Sequence, residues 1–294
     1  MLPFLEHPTW SIGPLTIHAF GVSVAAAVWY GFTAAQRRFT DLKLDANIGQ
    51  QLGTWMLAGG ILGAHLFSVL FYFPSKLRED PWLTLRLWED ISSFGGMVGG
   101  VLGAILFFVV RMPERTWSER LAYLDAVAFV FPGALAIGRI GCALAHDHPG
   151  SVSAFPLAIS LNTDTAQAFV QALYADAGRA LPTDFANLGF HDLGLYECLY
   201  LALVVVPAFW YLNRRTRPAG FYIAAFGALY LPVRLALDSL RIADARYVGL
   251  TPAQWLAAIL LFVLPLVTLG RRTLAYAIGG SVVLTTLWAC WSGS

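Results

Sequence analysis

The chain has 294 residues, 57% hydrophobic and 13% charged, with a mean hydropathy of +0.63. Soluble domains carry about a quarter charged residues, so this composition excludes a water-facing surface of ordinary polarity, and it equally excludes a disordered chain. Nineteen basic against eighteen acidic residues leave a net charge of +1, which excludes the broad positive footprint of a nucleic-acid binder.

The first residues, MLPFLEHPTW, lack a basic start followed by an apolar core, so no cleaved signal peptide is expected. Apolar stretches near twenty residues then recur at roughly 15–35, 49–72, 91–110, 121–144, 194–212, 220–240, 252–269 and 274–291. Such lengths suit a bilayer core. Backbone in lipid must satisfy its own hydrogen bonds, so each stretch is predicted to be helical. The expected fold is an all-α, polytopic membrane protein of seven to eight transmembrane helices. It forms a single domain over 1–294, with 271–294 adding an extra C-terminal span. No internal repeat is evident.

Arg37, Arg38 and Lys43 follow the first stretch, Arg111, Arg115 and Arg120 the third, Arg214, Arg215 and Arg217 the fifth, and Arg271 and Arg272 the seventh. These loops share one side, and the positive-inside rule makes it cytoplasmic. Both termini and the long segment 146–193 then lie outside. That segment reads as a small outer head or lid, since loops of this length are usually functional. Within it, 164–178 reads as an amphipathic helix with an Asp start and a Gly stop.

Ionisable groups at membrane depth are costly and point to function. Arg139 lies late in the fourth stretch and Arg234 within the sixth. Asp238 follows Arg234 by one turn, on the same helix face, and Arg241 comes three residues later. A buried arginine needs an anion; Asp238 or a phosphate would serve, and the guanidinium fork suits phosphate. Snorkelling or an internal salt bridge is the structural alternative, above all for Arg241. Glu197 reads structurally as a carboxylate at a helix N-terminus. His146, Asp147 and His148 read as a base, a metal site or only a polar turn, the His spacing with a distant third His being compatible with a metal, and His191 and Asp192 close the head segment. His65 is expected to be a satisfied interhelical hydrogen-bonder and His18 to face the interface. Cys142, Cys198 and Cys290 are widely spaced, so neither a disulfide framework nor a metal site is expected. The glycines of 92–103 allow close helix packing, or the approach of a lipid head group.

Taken together, several of these strings resemble the prolipoprotein diacylglyceryl transferase family. GPLTIHAFG (13–21) resembles its first-span motif, and SSFGGMVGG (92–100), with Gly95 and Gly96, resembles its His-Gly-Gly segment. GRIGCALAHDHPG (138–150), ending on Gly150, resembles its signature GRIGNFxNxExxG and is the most specific match. HDLGLYE (191–197) is similar to HPxQLYE, and Tyr230, Arg234, Asp238 and Arg241 resemble its Tyr-x3-Arg-x3-Glu-x2-Arg pattern. There are departures. The family histidine falls on Phe94, the first-span tyrosine on Phe20, the signature asparagine on Cys142, and a glutamate on the shorter Asp238.

The resemblance implies a helical membrane protein with an outer head and a site opening sideways to lipid. It implies transfer of the diacylglyceryl group of phosphatidylglycerol to the cysteine thiol of a lipobox-containing preprotein. Arg139 and Arg234 would hold the phosphate. His146, His148 or His191 would replace the missing base, and Tyr230, Gly95, Gly96, Gly150, Asp238, Arg241 and Glu197 would shape the substrate site. No cofactor, metal or nucleic acid is expected. The partners are phosphatidylglycerol or a related phospholipid, the preprotein and the membrane. The expected location is the bacterial inner membrane, with the site toward its outer side. A divergent member using another lipid or acceptor, and a non-catalytic lipid-binding scaffold, remain alternatives; the lack of repeats argues against a transporter.

Overall fold

The computed structural model describes residues 1–13, 15–72, 74–86, 92–242 and 248–269. In chain order it contains β1 (Thr9–Ile12), β2 (Leu15–His18), α1 (Ala19–Asp41), α2 (Ala46–Phe67), α3 (Pro74–Glu79), α4 (Ser93–Arg111) and α5 (Trp117–Ala145). Then follow β3 (Pro149–Ser153), β4 (Ile159–Ser160), α6 (Asp164–Asp176), β5 (Gly189–Asp192), α7 (Leu193–Tyr200), α8 (Val206–Leu212), α9 (Phe221–Ser239) and α10 (Pro252–Leu269). Two compact units result: residues 1–31 with 128–294, and residues 32–127.

Four described helices are long and apolar enough to cross a membrane: Ala46–Leu70, Trp117–Ala145, Leu193–Leu212 and Phe221–Ser239. At most a third of each is buried inside the protein. Trp29, Val101, Leu203, Trp210 and Phe262 all point outward. An apolar exterior this large requires an apolar solvent, so the chain is a membrane protein. The other described stretches fold as α1, α4 and α10; the proposed eighth span, 274–291, and Cys290 lie outside the described residues.

The first stretch begins later than its apolar composition predicts. Leu15–His18 pairs antiparallel with Thr9–Ile12 as a hairpin. Gly13 at φ 60° makes the turn, and Thr16 and Ile17 are β-branched, which favours strand over helix. The helix therefore starts at Ala19.

In the second unit, α2 and α4 lie glycine against glycine. A Cβ added at Gly99 would strike the carbonyl oxygen of Gly59 and stand 2.8 Å from the Cα of Gly63, whereas at Gly100 the nearest atom is 3.6 Å away. Gly95 abuts Gly63 and Phe67, and Gly96 faces Ala64 and Gly60. These glycines, read above as candidates for touching a head group, thus have a packing reason. Phe39, Leu52, Phe107 and Tyr123 fill the adjoining core. His65 is fully buried and donates from Nε2 to the Leu83 carbonyl at 2.9 Å.

In the first unit, α5, α9, α10 and the continuous span Leu193–Leu212 enclose Ala136, Leu201, Val205, Phe209, Tyr222, Tyr230 and Leu231. A π-helical turn at Leu201–Val205 joins α7 to α8 just before Pro207, which has no N–H to donate. The segment 146–193 has secondary structure of its own. Its strands form an antiparallel sheet in the order β3-β5-β4, an addition to the helical expectation. Leu161, Ala166, Val170, Tyr174 and Phe190 make its core, against which Leu2 and Phe4 pack. Helix α6 is capped by Thr163, which accepts from Ala166 N, and Gly178 follows its end at φ 62°. The cap is therefore one residue earlier than the expected Asp164, whose charge instead complements the first turn.

Because a methyl at position 99 meets fixed backbone, Gly99→Ala is expected to cost about 1–3 kcal/mol. Gly100→Ala, one residue away, should be nearly neutral. Thermal unfolding of the two variants in detergent checks this contrast.

Candidate active site

The signature helix α5 carries Arg139 and Cys142, and α9 carries Tyr230, Arg234 and Asp238. Between them α7 presents Glu197. Asp192 caps that helix by accepting from Leu195 N at 2.9 Å. Glu197 is the fifth helical residue and is 1% exposed. The reading of Glu197 as a helix-terminal carboxylate is thus corrected, because Asp192 already fills that position.

Glu197 holds both arginines. Its Oε2 lies 3.0 Å from Arg139 Nε and 2.9 Å from Arg234 NH1. Its Oε1 accepts a short hydrogen bond from the Tyr230 hydroxyl. Arg234 NH2 is also 3.3 Å from Asp238 Oδ1, as the i,i+4 spacing predicts, and Arg241 NH1 reaches the same oxygen at 3.8 Å. Asp238 accepts from the Thr251 hydroxyl at the start of α10. Thr251 and Gln254 bond each other reciprocally, Thr251 N to Gln254 Oε1 at 3.0 Å and Gln254 N to Thr251 Oγ1 at 3.2 Å. That capping box was legible in the sequence as Thr-Pro-Ala-Gln, although its link to Asp238 was not. Arg139, Arg234 and Arg241 thus gather around two fully buried carboxylates, Glu197 and Asp238, because ions at this depth need compensation.

Arg139 also donates from NH1 to Cys142 Sγ at 3.4 Å and to His148 Nε2 at 3.3 Å. A guanidinium cannot accept, so Nε2 bears the lone pair, and Nδ1 carries the proton that binds Asp147. His148 is therefore a neutral imidazole. Burial foremost, and Arg139 after it, hold it below the ordinary histidine range, while Asp147 pulls the other way. Burial, the largest single influence, would raise Asp147, but the hydrogen bond from His148 and the charge of Arg139 are among the effects that together keep the carboxylate below its usual range.

The other two histidines sit differently. His146 Nδ1 is 2.6 Å from Asp192 Oδ2, and Nε2 is 3.1 Å from the Leu5 carbonyl. Both partners are acceptors, and neither is an arginine of the site. His146 ties the N-terminal segment to the segment 146–193, with Phe4 stacked on its ring at 4.7 Å. His191 bonds the Tyr196 hydroxyl at 3.0 Å and leans on Phe155, and burial lowers it. Its partners are not the arginines. Gly150 is a glycine because a Cβ there would lie 3.0 Å from that of His191 and 3.1 Å from the Leu240 carbonyl. β3 is thereby brought onto the end of α9, where Ser151 N bonds Leu240 O at 2.9 Å.

Cys142 Sγ, an Asp147 oxygen and a His148 nitrogen lie within 4.8 Å of one another, a spacing that a metal could bridge. Arg139 already occupies two of these donors, and its charge opposes a second cation. Beyond the C-terminal end of α5, an open cavity of about 550 Å³ is lined by His7, His18, Phe20, Gly21, Leu144 and Ala145 among others. His18 and Phe20, both from the first-span motif, belong to this cavity rather than to the arginine cluster.

The fold and site together define a helical membrane protein with buried arginines clustered on a carboxylate beside a neutral histidine. Residues 8–269 match the family described as prolipoprotein diacylglyceryl transferase, and the chain belongs to that family. Among curated relatives, phosphatidylglycerol–prolipoprotein diacylglyceryl transferase of Ectopseudomonas mendocina is 26% identical over 94% of this chain and 96% of its own length. The proteins of that name from Nitratidesulfovibrio vulgaris (28% identical, covering 91% and 92%) and Rhizobium meliloti (27%, covering 94% of each) are similar throughout.

Glu197→Gln removes one buried charge shared by two arginines. It is expected to destabilise the protein by about 3–5 kcal/mol, more than Tyr230→Phe, at about 1.5–3 kcal/mol for one lost bond to a carboxylate. Unfolding midpoints in detergent rank the two.

Proposed function

We propose that this chain moves the diacylglyceryl group of phosphatidylglycerol to the cysteine thiol of a lipoprotein precursor, forming a thioether and releasing glycerol phosphate. The observation that carries this reading is the convergence of Arg139 and Arg234 on one buried carboxylate oxygen, at 3.0 and 2.9 Å. Two guanidiniums that share one anion can share a second, and their planar forks suit the oxygens of a phosphodiester. Family membership supplies the reaction class.

The chemistry is substitution at carbon. Arg139 and Arg234 hold the phosphate and stabilise the charge that grows on the leaving oxygen. Tyr230 and Asp238 orient them through Glu197 and directly. His148 takes the thiol proton. Its Nε2 now accepts from Arg139, so a phosphate that draws the guanidinium to itself also frees the base. Asp147 fixes the tautomer. We assign the base to His148 rather than to His146 or His191, because it alone of the three contacts an arginine of the site. We further place the protein in the bacterial inner membrane with its basic loops inside and the head, 146–193, outside.

Arg139→Ala and Arg234→Ala are each expected to abolish transfer while folded protein remains in the membrane, and lysine at either position should restore only a fraction, since the fork is lost. The assay is thioether formation on a lipobox peptide given phosphatidylglycerol, read by mass. Normal transfer by both alanine variants would remove the phosphate clamp from the mechanism. Product-free lipid retention by the wild type would point to a scaffold instead.

His148 works only when neutral. Because its titration is pushed down, the rate should survive as pH falls through about 6.5 and fail at lower pH. Asp147→Asn removes the upward pull and should move this acidic limb further down while lowering the maximal rate. His148→Gln should cost about 10²–10⁴ in rate, against a small effect for His191→Gln. A pH–rate profile of the four proteins tests the assignment.

A further inference from the structure

The site that binds the proposed donor lipid also contains a thiol. Cys142 stands where the family signature has asparagine, on the same face of α5 as Arg139, and it is buried. Its Sγ lies 3.4 Å from Arg139 NH1, and the same NH1 lies 3.3 Å from His148 Nε2. Sulfur, imidazole and the Asp147 carboxylate fall within 4.8 Å of one another. Nucleophile, base and phosphate anchor therefore meet at a single guanidinium nitrogen. Cys198, by contrast, gives its hydrogen to the Ala136 carbonyl at 3.4 Å and touches neither arginine nor base.

We propose that Cys142 is an internal acceptor that takes the diacylglyceryl group from phosphatidylglycerol when no preprotein thiol is present. This rests on the transferase reading above, since the lipid and the leaving group are the same. A phosphate held by Arg139 and the Cys142 thiol would share one guanidinium, and the reacting carbon is joined to that phosphate through a single ester oxygen, so donor and nucleophile are brought together on the same residue. The Sγ–C bond forms and the C–O bond to phosphate breaks. The thiol proton passes to His148 Nε2, and glycerol phosphate leaves with the electron pair. No oxidant or further reactant is needed. A thioether is not readily reversed, so the event occurs once per chain and leaves the site filled. The preprotein thiol and Cys142 then compete for one donor.

The full-length protein in detergent is incubated with dioleoyl or dipalmitoyl phosphatidylglycerol, with and without a lipobox peptide, and followed by intact mass and peptide mapping. Without peptide, the expected result is one added diacylglyceryl group on the 138–150 segment, at Cys142. The added mass should follow the acyl chains supplied, and glycerol phosphate should appear in equal amount. His148→Gln should slow the adduct by at least about tenfold, and Cys142→Ala should abolish it. Mapping the wild-type protein locates the adduct even where the alanine variant fails to fold. Added peptide should suppress the adduct. Peptide product without any Cys142 adduct overturns this proposal and leaves the transferase reading standing. Neither product overturns both. Equal modification of Cys198 or Cys290 also overturns it, because a general thiol reactivity would then suffice.

Discussion

A carboxylate with two guanidiniums on one oxygen is the constraint on which this molecule is arranged. Glu197 is buried in a span, where an uncompensated charge costs several kcal/mol, and it is tolerated only because Arg139 and Arg234 reach it from two other helices. The same requirement fixes α5, α7 and α9 relative to one another. Asp238 extends the chain of alternating charge to Arg241 and, through Thr251, to the start of α10. Among the described residues, α5, α7, α9 and α10 are linked in sequence by these groups.

That arrangement explains how the protein keeps arginines in lipid. Glu197 and Asp238 compensate them, and Arg139 also reaches soft or neutral partners, Cys142 and His148. In the proposed reaction an entering phosphodiester would meet donors already oriented. The histidine nitrogen engaged by Arg139 would be set free by the same exchange, coupling substrate binding to base activation.

Strand β5 of the segment 146–193 runs directly into α7, so Asp192 at the junction both caps the helix and grips His146. His146 adopts φ 47°, a costly backbone for a non-glycine residue, and the grip on Asp192 and Leu5 holds it there. The turn that follows delivers Asp147 and His148 to the end of α5. The proposed base is therefore positioned by a neighbour whose own partners are not the arginines of the site.

The sequence by itself determined the solvent, the helices and the polar residues that matter, because composition, span length and the cost of charge in lipid are local properties. The family motifs were readable for the same reason: they are short strings. The helical i,i+4 pairing of Arg234 with Asp238 was also readable, since it lies within one helix. Only the tertiary structure decided that Glu197 is the shared anion, since 58 residues separate Arg139 from Glu197 and 37 separate Glu197 from Arg234, and no spacing rule reaches that far. Likewise His146, His148 and His191 look alike in one dimension. What separates them is whether each ring nitrogen faces a donor or an acceptor, which side chains learn only when helices, head and N-terminal segment are brought together.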